Sequence, residues 1–537
     1  MCGPERPDTT EGGHHGADFA VMPPYVGRPL ATMGCMDELL EGLDDAQLAA
    51  ATALEGPVRI IAGAGAGKTR TVTRRIAHAC ASGQWDASRV LAVTFSVKAA
   101  AEMRVRLESL GVGGQVTAAT FHSAALRQLR RVWADVCEAP FPRLIEDARD
   151  ITMRAMRRVG LADRLDDMTV RAVRDEINWA KVSLVAPSEV ERVAAAVERC
   201  MPAGIDASHF ADIYDAYELE KTARGEMDFD DILLMMCHVL EEFDEPAARI
   251  RHAIGWLTVD EYQDVSPLQH RLMRLWLGDN RNVCVVGDPA QTIYSFAGAS
   301  SYDLLGFADE FKPLAADIRL DTDYRSTPQV VNYANRVLAA SPVRHDYLKL
   351  RSARANGSRV SRNIYETDLL EAQGVAARIA KLVANGANPS DCAILTRINA
   401  QQAACCSALH TERLGYRVRR DSGWASSSPV ADLETAGKLA LVETMREQDD
   451  AAVRKLGRVT VSTIHAAKGL EFKHVFVVGC SEGLLPYGSA RNGDDLEEER
   501  RLMYVAITRA EDTLHMSYAR SKDGMGSQQR VLSRFLS

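Results

Sequence analysis

The sequence contains no uninterrupted apolar run near the ~18 residues that a membrane-spanning helix requires. Its first residues lack the charged segment and apolar core of a secretory signal. Its 11 cysteines form no C-x-x-C pair and no Cys/His spacing of the zinc type. These absences argue against a membrane protein, a zinc site and a disulfide-built domain, so we expect a cytoplasmic protein with reduced thiols.

The chain also lacks an excess of positive charge, since 64 Lys and Arg face 73 Asp and Glu and the formal net charge is −9. This balance argues against a protein that coats nucleic acid with its whole surface. Local arginine clusters such as Arg127, Arg130 and Arg131 still allow a nucleic-acid groove, although each alone is typical of a solvated helix face. With 537 residues, 46% of them hydrophobic, the chain has room for several domains.

A phosphate-loop signature follows the apolar run Val58–Ala62. The pattern G-x-x-x-x-G-K-T begins at Ala62, which replaces the first glycine, and ends at Lys68 and Thr69. Glycines let the backbone direct N–H groups at an anion, Lys68 suits the β- and γ-phosphates of ATP, and the Thr69 hydroxyl suits Mg²⁺. A strand before and a helix after make a chance glycine-rich turn the weaker alternative. The expected nucleotide-binding positions are Ala62, Gly63, Ala64, Gly65, Ala66, Gly67, Lys68, Thr69 and Arg70.

Two further apolar runs end in polar residues. Trp256–Val259 leads into Asp260 and Glu261, and buried carboxylates at a strand end are costly unless a cation compensates them. Asp260 is therefore expected to hold nucleotide-bound Mg²⁺, and Glu261 to orient and deprotonate water; a capped strand end is the alternative. After the run Val283–Gly287, Gln291 is placed to sense the γ-phosphate.

Three other side chains have two interpretations each. Gln47 precedes the phosphate loop and suits either an adenine edge or the protein surface. Tyr294 and Phe296 follow Gln291 and suit either base stacking, which tolerates any sequence, or core packing. Repeated strand–loop–helix patterns predict an α/β protein with parallel sheets.

The ordered motifs resemble those of superfamily 1 DNA helicases of the UvrD/Rep (PcrA-like) family. In the first half these motifs are L-D-D-A-Q, A-G-A-G-A-G-K-T-R, V-T-F-S-V-K-A-A-A-E-M, T-F-H-S, D-F-D-D, V-D-E-Y-Q-D and V-V-G-D-P-A-Q-T-I-Y-S-F-A-G-A. In the second half they are L-D-T-D-Y-R-S-T, A-I-L-T-R-I-N-A-Q, V-S-T-I-H-A-A-K-G-L-E-F, E-G-L-L-P and E-E-E-R-R-L-M-Y-V-A-I-T-R-A.

The resemblance implies two RecA-like P-loop NTPase domains with ATP between them. It assigns Arg325 and Arg509 to the γ-phosphate and Glu471 to the ribose, and it implies 3′→5′ movement along single-stranded DNA. The catalytic set is then Lys68, Asp260, Glu261, Gln291, Arg325 and Arg509. The DNA-side positions that match are Phe95, Ser96, His122, Tyr294, Phe296 and His465, although His465 also suits a structural role.

The expected domains are a disordered tail at 1–36, a first core domain at 37–118 and 225–315, a helical insertion at 119–224, and a second core domain at 316–537. The chain departs from its relatives at Ser96-Val97 and Phe296-Ala297, where they carry Thr-Asn and Trp-Arg. Residues 425–459 offer only a short segment in place of the family's second accessory domain, which is less than the ~50 residues that a domain needs.

These patterns predict an ATP- and Mg²⁺-dependent 3′→5′ DNA helicase that acts on single-stranded DNA and 3′-tailed duplexes in repair, recombination or replication. We expect it in the cytosol of a bacterium or of a phage-infected host. Two alternatives remain: an ATPase that translocates on DNA with little unwinding, and a non-catalytic DNA-binding subunit. An RNA substrate is a more distant alternative. The first alternative follows from the missing accessory domain, and the intact catalytic set argues against the second.

Overall fold

The computed structural model describes residues 38–145, 147–295, 298–419, 457–488, 493–524 and 529–536. The strands up to residue 320 are β1 (Val58–Ala62), β2 (Val90–Thr94), β3 (Thr117–Thr120), β4 (Arg143–Leu144), β5 (Glu226–Met227), β6 (Trp256–Val259), β7 (Val283–Gly287) and β8 (Ala316–Leu320). Six of them form one parallel sheet in the order β3-β2-β6-β7-β1-β8.

Helices cover both faces of this first sheet. They are Asp45–Thr52, Lys68–Ala81, Val97–Ser109, Phe121–Val136, Asp231–Glu242, Asp244–His252, Pro267–Leu277 and Tyr302–Glu310. Alternate residues of one strand face opposite sides, so Ile60 packs with Val72 and Ile76 while Ile61 packs in the other core with Val93. Burial on both faces explains why these strands read as continuous apolar runs.

A separate helical unit is inserted between β4 and β5. Its helices are Ala148–Arg158, Asp167–Val182, Val190–Ala196 and Ala207–Ala223. Ile151, Ile177 and Phe210 contribute to a core of its own, and β4 pairs with β5 where the chain leaves and re-enters the first domain.

The insertion therefore spans about 143–227, and the expected start at residue 119 needs correction. Thr117–Thr120 is a strand of the first sheet, and Phe121 and Leu129 of the next helix pack in that sheet's core. A helical pattern alone does not reveal which core its apolar face contacts.

The second domain contains β9 (Thr322–Asp323), β10 (Arg351–Ser352), β11 (Ser361–Thr367), β12 (Cys392–Thr396), β13 (Tyr416–Arg419), β14 (Val459–Thr463), β15 (Phe472–Val477) and β16 (Ala510–Ser521). Six strands form a parallel sheet in the order β11-β16-β15-β12-β14-β13. Its helices are Pro328–Ala339, Asp368–Ala384, Gln402–Thr411 and Asp494–Ile507. The expectation of an α/β protein with two parallel sheets is confirmed.

The expected boundary between residues 315 and 316 also shifts. β8 pairs with β1 along its whole length, so the first domain extends to Leu320. The expected tail at 1–36, and the 425–459 segment up to residue 456, lie outside the described residues. Within the described ranges, no helix is both long and apolar enough to span a bilayer.

Candidate nucleotide cleft and DNA-facing surface

A cleft of about 720 Å³ opens beyond the carboxyl ends of the first sheet's strands, where it meets the second domain. Open α/β sheets bind ligands at this edge, because the loops that follow parallel strands converge there. The first domain lines it with the phosphate loop 63–70, Ser96, Asp260, Glu261 and Gln291. The second domain lines it with Tyr324, Arg325, Lys468, Glu471 and Arg509. The structure thus brings together the six residues expected to be catalytic.

The phosphate loop lies directly against the second domain. Gly65 has φ +72°, and a Cβ atom there would lie 2.0 Å from Asp323 Oδ1. The backbone N–H of Tyr324 donates to the Gly65 carbonyl over 3.0 Å. Gly65 is therefore required both for its left-handed backbone and for this close approach.

Gln47 and Ala62 support the loop from behind. Gln47 is only 2% exposed, and its Nε2 donates to the Ala66 carbonyl over 3.0 Å. Ala62 is fully buried at the end of β1. Neither residue lines the cleft, and the Gln47 amide holds the loop backbone at Ala66; its contact with an adenine edge stays a prediction.

Lys68, Asp260 and Glu261 form the charged floor of the cleft. Lys68 Nζ lies 3.2 Å from the Glu261 carboxylate, and Asp260 Oδ1 accepts a 2.9 Å hydrogen bond from the Glu261 N–H. Burial and the charge of Glu261 raise the pKa of Asp260 to about 6. Burial would also raise the pKa of Glu261, but Lys68 and Lys468 outweigh it and lower that pKa to about 2.

The backbone of Glu261 is itself unusual, with φ +52° and ψ +41°. A non-glycine residue in this left-handed region costs about 1–2 kcal/mol. The strained turn places two adjacent carboxylates at one strand end, and strain of this kind is concentrated at functional sites.

The donor set fits Mg²⁺. Thr69 supplies a hydroxyl and Asp260 a buried carboxylate, and both line the same cleft. Oxygen ligands suit this small, hard cation. The raised pKa of Asp260 shows that its negative charge is poorly compensated by the protein alone.

A second network joins Gln291 to the far domain. Gln291 Nε2 donates to Asp288 Oδ2 over 2.7 Å, and the Tyr504 hydroxyl donates to the same oxygen over 3.3 Å. The Ala64 N–H of the phosphate loop lies 3.4 Å from the Tyr504 oxygen. Tyr504 was not among the predicted site residues, although it lies inside the quoted motif L-M-Y-V-A-I-T-R-A.

The two arginines of the second domain differ in exposure. Arg325 is partly exposed and forms an ion pair with Glu471, whereas Arg509 is 2% exposed. Arg509 donates from Nη1 to the Leu470 carbonyl over 3.0 Å and from Nε to the Val505 carbonyl over 3.1 Å. Burial and nearby Arg325 lower the pKa of Arg509 to about 10, so the side chain stays charged and is held rigidly.

Tyr324 and Lys468 are two further cleft residues that the sequence reasoning missed. The Tyr324 ring is 45% exposed beside the loop, and its hydroxyl donates to Asp44, the N-cap of helix Asp45–Thr52. Lys468 Nζ donates to Asp264 Oδ2 over 2.5 Å and to the Gln291 carbonyl over 2.6 Å. Two sequence features could have indicated them: Tyr324 is the aromatic residue just before Arg325, and Lys468 is the lysine within I-H-A-A-K-G-L-E-F.

Three of the predicted DNA-side residues lie together. The rings of Phe95 and Tyr294 stack at 5.6 Å and 14°, and the His465 ring lies 6.3 Å from that of Tyr294. Lys468 Nζ lies 4.9 Å from the centre of the Tyr294 ring. Burial, with the charges of Arg397 and Lys468, lowers the pKa of His465 to about 4, so this histidine is neutral at physiological pH.

The other predicted DNA-side residues are placed differently. Ser96 accepts a hydrogen bond from the Ala99 N–H as the N-cap of helix Val97–Ser109 and lines the cleft. His122 is 5% exposed and stacks on Phe229 at 3.8 Å. Phe296 lies outside the described residues.

Two parallel-sheet domains that supply a phosphate loop and opposing arginines to one cleft define a two-domain P-loop NTPase. The chain belongs to the UvrD/REP helicase family: the family's N-terminal domain matches residues 43–312, and the UvrD-like helicase C-terminal domain matches residues 318–424 and 431–521. The family expected from the motifs is therefore confirmed.

Named relatives cover most of the chain. Proteins called ATP-dependent DNA helicase UvrD2 from Mycobacterium tuberculosis and Mycobacterium bovis are each 40% identical over 93% of this chain and 82% of their own length. ATP-dependent DNA helicase PcrA from Staphylococcus aureus is 27% identical over 93% of this chain and 86% of its own.

Proposed function

We propose that this chain is an ATP-dependent DNA helicase that moves 3′→5′ on single-stranded DNA and unwinds 3′-tailed duplexes in the bacterial cytosol, in repair, recombination or replication. The observation that carries the proposal is that Lys468 contacts both the nucleotide cleft and the aromatic stack of Phe95 and Tyr294. Lys468 contacts Asp264 and the Gln291 carbonyl near the nucleotide side and lies over Tyr294 on the other side.

The cleft residues divide the work of ATP hydrolysis between the domains. Lys68 and the loop N–H groups bind the phosphates, while Thr69 and Asp260 would hold Mg²⁺, which would offset phosphate charge. Glu261 accepts a proton from the attacking water, and its lowered pKa keeps it ionised for that task. Arg325 and Arg509 come from the second domain, so their contribution to charge stabilisation depends on closure of the cleft.

The remaining cleft residues position the nucleotide. Tyr324 offers an exposed ring beside the loop for stacking on a base, and Glu471 lies next to Arg325 where a ribose would be reached. Gln291 is held by Asp288 at a distance of 2.7 Å and senses the γ-phosphate.

DNA binding falls to the aromatic stack. Phe95 and Tyr294 present parallel rings, and stacking on bases is worth about 1–3 kcal/mol each without regard to sequence. Because Lys468 contacts both sides, a shift of Gln291 on hydrolysis is transmitted to Tyr294 and changes the grip on DNA.

The test is steady-state ATPase activity with and without single-stranded DNA, followed by unwinding of a 3′-tailed duplex. We expect DNA to stimulate hydrolysis, and Glu261→Gln to lower kcat by about 10²–10⁴ because it removes the general base. Glu242→Gln, on an exposed helix end, is the matched control and should leave kcat unchanged. Absence of ATPase activity under both conditions would contradict the proposal and leave a DNA-binding subunit.

A translocase with little unwinding is the second candidate. It is favoured by the short segment at 425–459 and by the alignment with PcrA, which extends over 644 positions although this chain has 537 residues. DNA-stimulated ATPase without unwinding of either 3′- or 5′-tailed duplexes would support it. Unwinding of the 3′-tailed duplex alone would support the helicase.

A further inference from the structure

A second cavity, of about 320 Å³, lies at the opposite end of the first sheet from the nucleotide cleft. It is lined by Val90 and Leu91 where β2 begins, by Thr117 where β3 begins, and by Ile254 shortly before β6. Asp260 and Ser96, in contrast, follow the carboxyl ends of β6 and β2. A ligand in this cavity would therefore obstruct neither ATP nor the aromatic stack.

The floor of the cavity is apolar. It is formed by Val90, Leu91, Ala124, Val132, Ile250 and Ile254. Each belongs to a hydrophobic core of the first domain, so this floor is a rigid part of the fold. A ligand that fits here needs an apolar group of its own, because a purely charged ligand would gain nothing from such a surface.

The rim of the cavity is basic. Arg127 and Arg131 project from one face of helix Phe121–Val136, four residues apart, and Arg249 comes from the end of helix Asp244–His252. Arg249 pairs with Asp135, whereas neither Arg127 nor Arg131 forms an ion pair with any carboxylate in the described part of the chain.

The rim arginines are not compensated internally. Burial, together with repulsion from Arg131 and Arg104, lowers the pKa of Arg127. The chain has a formal net charge of −9, yet Arg127 and Arg131, neighbours on one helix face, have no acidic partner among the described residues. Beside an apolar cavity, these two positive charges favour a negatively charged ligand.

We propose that this cavity docks an acidic peptide segment of a partner protein, with an apolar side chain of the peptide on the floor and its carboxylates on Arg127 and Arg131. The apolar floor favours a peptide over a nucleic-acid backbone, which offers phosphates without an apolar anchor. Because the cavity faces away from the cleft, the partner recruits the enzyme without inhibiting it.

The test uses the full chain and a fluorescent peptide that is rich in aspartate and carries one phenylalanine, followed by fluorescence anisotropy. Two altered peptides replace phenylalanine by serine or every aspartate by asparagine, and an oligothymidylate tests for phosphate recognition. We expect Arg127→Glu and Arg131→Glu each to weaken binding about tenfold, which corresponds to about 1.4 kcal/mol, because each substitution replaces an attractive charge pair with a repulsive one.

Arg130→Glu is the matched control, because Arg130 belongs to the same helix but lies 5.6 Å from the Phe141 ring and does not line the cavity. It should change peptide affinity by less than about twofold. DNA-stimulated ATPase should be unchanged in all three variants. Arg131 is exposed, so Arg131→Glu should fold even if Arg127→Glu does not.

The proposal requires that both altered peptides bind more weakly and that the affected arginines are those of the rim. Equal binding of the serine peptide would overturn it, because the floor would then play no part. Oligothymidylate binding that depends on Arg127 and Arg131, without peptide binding, would assign the cavity to phosphates instead. No binding of any probe would also overturn the proposal.

Discussion

Two clusters of charged side chains in this molecule both contain lysines and carboxylates, but they differ in the ratio of positive to negative charge. At the junction between the insertion and the first domain, Lys181 and Lys221 face Asp228 and Asp231, with Lys181 Nζ 2.6 Å from Asp228 and Lys221 Nζ 2.5 Å from Asp231. Glu218, less buried, lies 2.8 Å from Lys221. The charges of these two lysines and two aspartates cancel, and the neighbouring buried Asp230 faces His122 Nε2 at 3.8 Å.

In the nucleotide cleft, two lysines face three buried carboxylates and one that is partly exposed. The lysines are Lys68 and Lys468, the buried carboxylates are those of Asp260, Asp264 and Asp288, and the partly exposed one is that of Glu261. Burial raises the pKa of Asp264 to about 6, as it does for Asp260, and it raises the pKa of Asp288 as well.

Asp228 and Lys181 of the junction show the opposite pKa shifts. Burial would raise the pKa of Asp228, but Lys181 and Lys221 outweigh it and lower that pKa. Burial likewise would lower the pKa of Lys181, yet its acidic partners raise it. The balanced junction cluster fixes the insertion relative to the first domain. The cleft cluster carries an excess of negative charge, which favours binding of a metal-bound nucleotide.

The largest effect is expected when the balance of the junction is broken. Lys181→Met leaves Asp228 and Asp231 with one cation, and removing one partner of a buried pair costs about 3–5 kcal/mol. The free energy of unfolding by urea measures this loss. Arg149→Met, which breaks an exposed pair with Asp167 in the same insertion, is the control and should cost less than about 1 kcal/mol. An equal loss of unfolding free energy in both variants would show that the buried junction cluster contributes no more to stability than an exposed ion pair.

Asparagine substitutions should act with opposite sign in the two clusters. Without nucleotide, Asp260→Asn should raise the free energy of unfolding at pH 8 by about 1–3 kcal/mol, because it removes a poorly compensated charge whose pKa has risen from 3.8 to about 6. The same variant should lose Mg²⁺-dependent ATPase activity. Asp228→Asn should instead lower stability at pH 8, because its charge is well compensated.

The pH dependence separates these two explanations. The native pKa of Asp260 exceeds its unfolded value, so wild-type stability falls as pH rises from about 4 to 6, and the advantage of Asp260→Asn grows over that window. The native pKa of Asp228 lies below 3.8, so its contribution is present above that pH and is lost as pH falls below it. Chemical denaturation across pH 3–8 would show both trends; parallel curves for the two variants would contradict the comparison.

The first-domain residues of the cleft can be predicted from the sequence because each follows an apolar strand directly in the chain. Apolar runs followed by Lys68, Asp260 and Gln291 place these residues at neighbouring strand ends once the sheet is parallel. The structure confirms the parallel sheets, and it places these residues in one cleft. Only the motif resemblance predicts roles for Arg325 and Arg509, since no local spacing relates them to the phosphate loop.

Residues that contact the other domain could not be predicted from the sequence. Tyr504 meets Asp288 across more than 200 positions of the chain, and Lys468 meets Asp264 over a similar separation. A buried tyrosine or a lysine in an apolar stretch has no periodicity that indicates its partner. The boundary errors at residues 119 and 316 have the same origin, because one helix and one strand pack against elements that only the tertiary structure identifies.

A smaller effect is expected at the hydroxyl that joins the unbalanced cluster to the second domain. Tyr504→Phe keeps the buried ring but removes the hydrogen bond to Asp288, a loss of about 0.5–1.5 kcal/mol. If the hydroxyl positions Gln291, kcat with DNA should fall about two- to tenfold while KM for ATP changes little. Tyr333→Phe, another buried tyrosine of the second domain, is the control. A fall in thermal stability without a change in kcat would assign Tyr504 a structural role only.

The smallest effect should appear at His465, beside the aromatic stack that we propose binds DNA, where we expect no titration between pH 6 and 8. His465 has a pKa of about 4, so it adds no positive charge between pH 6 and 8. The slope of log affinity for single-stranded DNA against log salt concentration should therefore be the same at both pH values, and His465→Gln should leave it unchanged. A cation gained at pH 6 would steepen the slope by about 0.7, which anisotropy titrations resolve. Such a change in the wild type, absent from His465→Gln, would show that His465 gains a proton between pH 8 and pH 6 and would contradict this prediction.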